Sequence, residues 1–198
     1  MAKTAGNPNS PKKGSTIKVE PIKRSRDIKA IKTLLADKPL DLALFTVGIN
    51  TNLRASDLLR IRISQVKGLK PGGEIVLKEK KTGKPRRINL NKGCISAIQK
   101  LLDWKKYKGT EYLFTGQRGV LKPTAVHLKV NKWTRAINLK GNYGSHSLRK
   151  TWGYHQRVIF GVGLPELMIC FNHSSQKQTL DYLCVQPEEI KNIYQNEI

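Results

Sequence analysis

Apolar residues recur at helical spacing along most of this chain. Residues 27–37 place Ile28, Ile31, Leu34 and Leu35 on one face of a helix. A second helix is expected from about Pro39, a residue favoured in a first turn, through Leu42, Leu44 and Phe45. In TNLRASDLLRIRI, Ser56 and Asp57 read as helix-start residues ahead of Leu58 and Leu59. The pattern then changes: EIVLKEK and PRRINL read as two short strands joined at KTGK, a hairpin turn containing Gly83. Asn91 caps a further helix with Ile95, Ile98, Leu101 and Leu102 on one face, and EYLF is a short extended piece. Helices are expected over residues 124–138, with Val126, Val130, Trp133 and Ile137, and over 147–160. Shorter ones are expected over 165–170, 176–183 and 187–195. The predicted fold class is mainly α with a small antiparallel β-sheet (α+β), in a single domain beginning near residue 26 and without internal repeats.

Composition adds a partner. Of 198 residues, 37 are Lys or Arg and 14 are Asp or Glu, a formal net charge of +23. Charge of one sign at this density opposes compaction and calls for a polyanion. Nucleic-acid phosphates are the first candidate, because neutralising them releases counterions; an acidic membrane surface is the alternative. No run is long and apolar enough to span a bilayer, and no signal-peptide core follows Met1. Cys94, Cys170 and Cys184 are scattered and odd in number, which fits free thiols in a reducing cytosol. The expectation is a cytoplasmic, DNA-associated protein. Residues 1–25 are rich in Asn, Pro, Gly and Ser and carry Lys3, Lys12, Lys13, Lys18, Lys23 and Arg24, so they read as a flexible basic arm.

Taken singly, the chemical signals are weak. His146 and Arg149 in HSLRK stand three apart, one helical face, with Gly144 and Ser145 placing helix-start N–H groups nearby. They could equally be a solvated face. His173 and Tyr182, nine residues apart in FNHSSQKQTLDYL, could be core residues, and Arg54 a helix-edge charge. The hairpin residues Lys78, Lys80, Lys81, Lys84, Arg86 and Arg87 could be a solvated basic turn that contacts DNA phosphates without specificity. In combination they answer one problem. Breaking a phosphodiester needs a nucleophile, an acid for the leaving oxygen and positive charge on the non-bridging oxygens. Two arginines supply that charge through paired hydrogen bonds, in place of metal ions. Tyrosine, with an ordinary pKa of about 10, needs a base or a cationic field to attack. A hairpin lysine is a suitable donor to the departing oxygen.

These motifs resemble the tyrosine recombinase (phage integrase) family over about residues 26–185. TNLRASDLLRI resembles its first-arginine box, which implies that Arg54 contacts the scissile phosphate and that Asp57 is the supporting acid. KTGKPRRINL resembles the hairpin that carries the catalytic lysine, which points to Lys81. HSLRK resembles the His-x-x-Arg box, with His146 in proton transfer and Arg149 as second clamp. FNHSS resembles the Gly-His-Ser segment, with Asn172 where glycine is common and His173 on the phosphate. Tyr182 stands at the nucleophile's usual offset, and Lys150 follows Arg149 where the family often has His.

The resemblance implies the DNA breaking-and-rejoining fold, double-stranded DNA as substrate, neither metal nor cofactor, and a homo-oligomer, dimer to tetramer, on DNA. The layout is like compact, catalytic-domain-only members such as fimbrial phase-switch invertases and small mobile-element integrases. Residues 186–198 read as an amphipathic helical tail, packed on its own domain or docked on a neighbouring protomer. Two rival readings are a type IB topoisomerase, which reseals the same strand, and a DNA-binding regulator on an integrase scaffold. The second histidine box and the small size favour the recombinase over the first, and the full catalytic set argues against the second.

Overall fold

A computed structural model of the chain describes residues 18–107 and 111–183, together with Gln195 and Glu197. The proposed tail helix over 187–195, apart from Gln195, and residues 1–17 of the proposed arm lie outside the described residues. The stretch from Glu20 to Arg24, expected to belong to the arm, is instead folded onto the domain. Ile22 is fully buried, its N–H donates to Thr151 Oγ1 at 2.8 Å, and its carbonyl accepts from His155 Nε2 at 3.0 Å. Pro21 and Ile22 are both buried, and the Ile22 backbone groups that go in with them are satisfied.

Helix α1 (Ser25–Leu34) turns Ile31 inward, followed by buried Leu35. Pro39 opens α2 (Pro39–Asn50), in which residues 43–49 are all buried. A helix covered on every side forms the centre of its domain. Here α2 lies against α5 (Lys92–Trp104) and α7 (Ser145–Tyr154). Gly48 allows the close crossing, since a Cβ there would stand 2.7 Å from Leu148 Cδ1. Asn91 caps α5, its Oδ1 accepting the Cys94 N–H at 2.9 Å, as its sequence predicts.

After α2 the chain turns through α3 (Ala55–Leu58) and α4 (Ile63–Val66) into the hairpin of β1 (Glu74–Lys78) and β2 (Pro85–Asn89), which pair antiparallel with Lys78 opposite Pro85. A second two-stranded ladder, β3 (Thr115–Gly116) with β4 (Gly119–Val120), is too short to leave an alternation in the sequence. Helix α6 (Pro123–Ala136) sends Trp133 edge-on against Phe45, ring centroids 5.8 Å apart. Helix α7 ends at Tyr154 in a π-helical turn, His155–Ile159, rather than running on to Phe160. Helices α8 (Leu164–Phe171) and α9 (Gln176–Leu183) complete the described fold. No described helix is long and apolar enough to cross a membrane.

The core has two parts. The larger cluster runs from Ile22 to Leu148. A small one joins Leu167, Phe171 and Leu183, with Trp152 and Tyr182 packed on it, and fastens α8 and α9 to α7. Gly153 sits where α7 meets this second cluster: a Cβ would stand 2.5 Å from Phe171 Cζ and 2.8 Å from Leu183 Cδ2. Alanine ordinarily improves a helix interior by ~1 kcal/mol, but overpacking costs ~1–3 kcal/mol. Gly153→Ala is therefore expected to lower the denaturant midpoint rather than raise it. A raised midpoint would show that the α8–α9 cluster yields without strain.

Candidate active site

The site is assembled from four segments far apart in sequence. Arg54 is the residue ahead of α3, in extended conformation (φ −65°, ψ 149°). The hairpin turn over residues 79–84 carries Lys81. The first turn and centre of α7 carry His146 and Arg149, and the α8–α9 corner carries His173 and Tyr182.

Arg149 is 2% exposed, and its guanidinium is answered by one protein acceptor, Nη2 donating to the Phe171 carbonyl at 2.8 Å. Among the described residues its buried Nε and Nη1 have no hydrogen-bond partner. The group lies over the rings of Phe171 and Tyr182, 5.1 and 5.7 Å from their centroids. Burial draws its pKa down to about 10, so it is still a cation at neutral pH. Burying a charge without full pairing costs several kcal/mol. The arrangement is therefore that of a receptor for an anion.

The Tyr182 hydroxyl lies 3.3 Å from His146 Nδ1. The Lys150 ammonium stands 5.4 Å from the Tyr182 ring centroid, on a side chain that is itself buried. His146 is exposed as a residue, yet its pKa is pushed below the ordinary imidazole range. Partial desolvation of the ring is the main cause, and the charges of Arg149, Arg54 and Lys150 add to it. His173 is pushed further, to about 4, by desolvation and then by Arg149, Arg54 and Lys81. Its ring stacks on Phe171 at 5.0 Å, and Nδ1 lies 3.1 Å from Thr179 Oγ1. Asn172 before it has φ 53°, a left-handed conformation that Asn and Gly tolerate, which accounts for Asn at a position where glycine is common.

Five of the expected residues, Arg54, His146, Arg149, His173 and Tyr182, thus share one neighbourhood. Lys81 is exposed at the turn of the hairpin, near enough for its charge to depress His173. Lys78, Lys80 and Lys84 are exposed on the same hairpin, and Arg87 is exposed while paired with Glu74 at 2.8 Å. Asp57 is buried and accepts the Lys80 backbone N–H on Oδ1 at 2.9 Å, which fastens the hairpin to the Arg54 turn.

Arg86 departs from expectation. Instead of joining the exposed basic face it turns inward, Nη1 donating to Glu79 Oε1 at 2.9 Å and Nη2 to the Cys170 carbonyl at 2.6 Å. The cause is the pleat. Arg86 pairs with Leu77 on the inner face of the ladder, while Arg87 pairs with Val76 on the outer face.

Glu79 is the residue that the reading of the sequence missed. It is 3% exposed and continues the inward alternation of Ile75 and Leu77 beyond the end of β1. Its Oε2 accepts from Thr82 Oγ1 at 2.8 Å and Asn172 Nδ2 at 3.3 Å, and lies 3.1 Å from Arg54 Nη1. That last contact is an ion pair without hydrogen-bond geometry, so Arg54 Nη1 is still an unused donor. Burial alone would raise the Glu79 pKa. Hydrogen bonds from Thr82, Arg86 and Asn172 and the charge of Arg54 outweigh it and hold the carboxyl at about 2. The signal was available: an acid in inward register beside a cationic turn needs cations inside.

No group of three or more His, Cys, Asp or Glu among the described residues has the arrangement to hold a metal ion. The chemistry this arrangement can perform is attack by a phenol on a bound anion, with cations and neutral imidazoles around it.

A family model described as "Phage integrase family" matches residues 24–189. Over 183 residues, 89% of this chain and 95% of the relative, the sequence is 33% identical to the probable integrase/recombinase YoeC of Bacillus subtilis (strain 168). Among solved structures, the XerA recombinase superposes with a TM-score of 0.72 at 18% identity, covering 94% of this chain and 65% of that one. The XerH site-specific recombinase, in a post-cleavage complex with a palindromic difH substrate, gives 0.70 at 17% identity, covering 87% and 52%. These two likenesses show the fold, and the chain spans about half to two thirds of the length of those solved chains.

The depressed histidines set an acid limit on stability. Between the ordinary imidazole pKa of 6.5 and about 4, the unfolded chain binds a proton at His173 that the folded chain does not. Stability therefore falls as pH drops through that window, with His146 acting in the same direction. Glu79 adds a second loss below its ordinary 4.5, as pH approaches 2. Thermal unfolding followed from pH 7 to 4 should show this decline, and His173→Asn should flatten it. An equal decline in that variant would mean that His173 does not govern the acid limb.

Proposed function

The chain belongs to the phage integrase family, and we propose on that premise that it is a tyrosine-type site-specific DNA recombinase which cuts one strand of duplex DNA per protomer. The observation that carries the mechanism is the Tyr182 hydroxyl at His146 Nδ1, beside a buried Arg149 with two unanswered N–H donors. The scissile phosphate is the acceptor for those donors. Arg149 and Arg54 take its non-bridging oxygens, where charge develops in the transition state. The field of both cations and Lys150 steadies the negative charge that develops on the Tyr182 oxygen as it attacks. His146, kept neutral by desolvation and then by those cations, is a base in contact with the hydroxyl.

In the step itself the Tyr182 oxygen bonds to phosphorus and the bond from phosphorus to the 5′-oxygen breaks. The phenol proton passes to His146, and Lys81 gives a proton to the departing oxygen. The products are a 3′-phosphotyrosine link and a free 5′-hydroxyl. That hydroxyl then attacks the phosphotyrosine on a partner duplex, so the phosphodiester energy is retained and neither ATP nor a metal ion is needed. The role given to His173 puts its proton on Nε2, where it donates to the phosphate, with Nδ1 3.1 Å from Thr179 Oγ1. Lys78, Lys80, Lys84 and Arg87 contact the DNA backbone, and Asp57 supports the Arg54 turn. Exchange between two duplexes requires at least two cutting protomers, so the working form is a dimer to tetramer assembled on DNA.

Two experiments test these roles. Tyr182→Phe should bind DNA and form no covalent adduct on a nicked suicide substrate; an SDS-resistant complex from this variant would exclude Tyr182 as nucleophile. Arg54→Ala and Lys81→Ala should each cleave ordinary DNA ~10²- to 10³-fold more slowly, a loss of the size seen for a transition-state donor. A substrate with sulfur at the 5′-bridging position, which leaves without a proton, should rescue Lys81→Ala and not Arg54→Ala. Equal defects of Lys81→Ala on both substrates would leave Lys81 as a backbone contact only.

A further inference from the structure

We propose that Glu79 is a positioning residue for cleavage, holding Arg54 toward the scissile phosphate and tying the turn that bears His173 to the same carboxylate. The role rests on the recombinase reading above. Three segments meet on this side chain: the Arg54 turn through the 3.1 Å ion pair, the hairpin through Thr82 and Arg86, and the α8 terminus through Asn172. Arg86 closes the arrangement by donating to the Cys170 carbonyl, which also accepts Asn52 Nδ2 at 2.9 Å, two residues before Arg54. Each segment carries one of the groups assigned to the phosphate or its leaving oxygen: Arg54, Lys81 and His173.

Charge explains why an acid is needed. Arg54 and Arg86 both approach Glu79, with Arg149 close enough for the charges of all three to affect its ionisation. Before a phosphate arrives, these cations repel one another. A buried carboxylate with a pKa of about 2 is ionised at every pH at which the enzyme works. It restrains Arg54 by attraction and leaves its Nη1 unused as a hydrogen-bond donor. A neutral amide of the same shape would keep an acceptor for Arg86 and lose the attraction for Arg54.

Glu79→Gln, assayed on a suicide substrate at saturating protein and corrected for the folded fraction, should form the covalent adduct ~10²-fold more slowly, the loss expected of a misplaced clamp. Its DNA affinity should stay within about threefold of wild type, because the exposed lysines that dominate phosphate contacts are untouched. The 5′-bridging sulfur substrate should not restore its rate, since the defect lies in charge placement and not in proton delivery. A merely structural role would lower the melting temperature and leave the rate per folded molecule unchanged, and that result would overturn the proposal. Rescue by sulfur would overturn it too, by moving the effect to Lys81. If Glu79→Gln does not fold, Glu79→Asp keeps the charge and withdraws it by one methylene. A smaller, sulfur-insensitive defect is expected there, and a wild-type rate would refute the role. If the wild-type chain itself forms no adduct, the recombinase reading fails and this role falls with it.

Discussion

A charged guanidinium sits almost wholly inside this protein with one carbonyl among the described residues to answer it, and most of the site can be understood from that fact. Arg149 lies over the adjoining rings of Phe171 and Tyr182 on a helix that also lines the main core. Its uncompensated N–H groups work against stability, because a buried donor left unmatched costs ~1–3 kcal/mol. The fold tolerates the cost because α7 is held on both sides, by α2 in the large cluster and by α8 and α9 in the small one. A clamp that need not reorganise when its anion arrives is worth more in catalysis than one that must be assembled.

The same constraint fixes the surroundings. Arg54 and Arg86 close to Arg149 would be self-repelling, and Glu79 is the buried acid that balances them. Asp57 serves a different purpose: it holds the backbone of the hairpin at Lys80. Two acids within one small region thus divide the work, one neutralising charge and one fixing chain geometry.

Much of this was legible in the sequence, and what was not has definite reasons. The hairpin, the Asn91 cap, α2 beginning at Pro39 and α9 follow from alternation, capping chemistry and helical period, all local properties. The site residues could be named because their order matched a family pattern, since no local rule brings residues 54, 149 and 182 together. Glu79 escaped because it stands in a run of lysines that reads as solvated, although its register beside Ile75 and Leu77 marks it as inward. Arg86 was placed on the exposed face for the same reason: composition was weighed where the period of two should have decided. The β3–β4 ladder and the π-helical turn at His155–Ile159 left no trace, being too short or too irregular for any period.

The histidines complete the argument about charge. Gathering cations for a phosphate would be self-defeating if it also recruited protonated imidazoles, because each added charge raises the cost of the empty site. Here that outcome is avoided, since partial desolvation depresses both His146 and His173 and the charges of Arg149 and Arg54 add to it. The two rings are therefore neutral at physiological pH, able to accept a proton at one nitrogen and donate from the other. The burial that leaves Arg149 as a receptor for an anion thus goes together with neighbouring imidazoles held neutral, the state in which a ring can both take and give a proton.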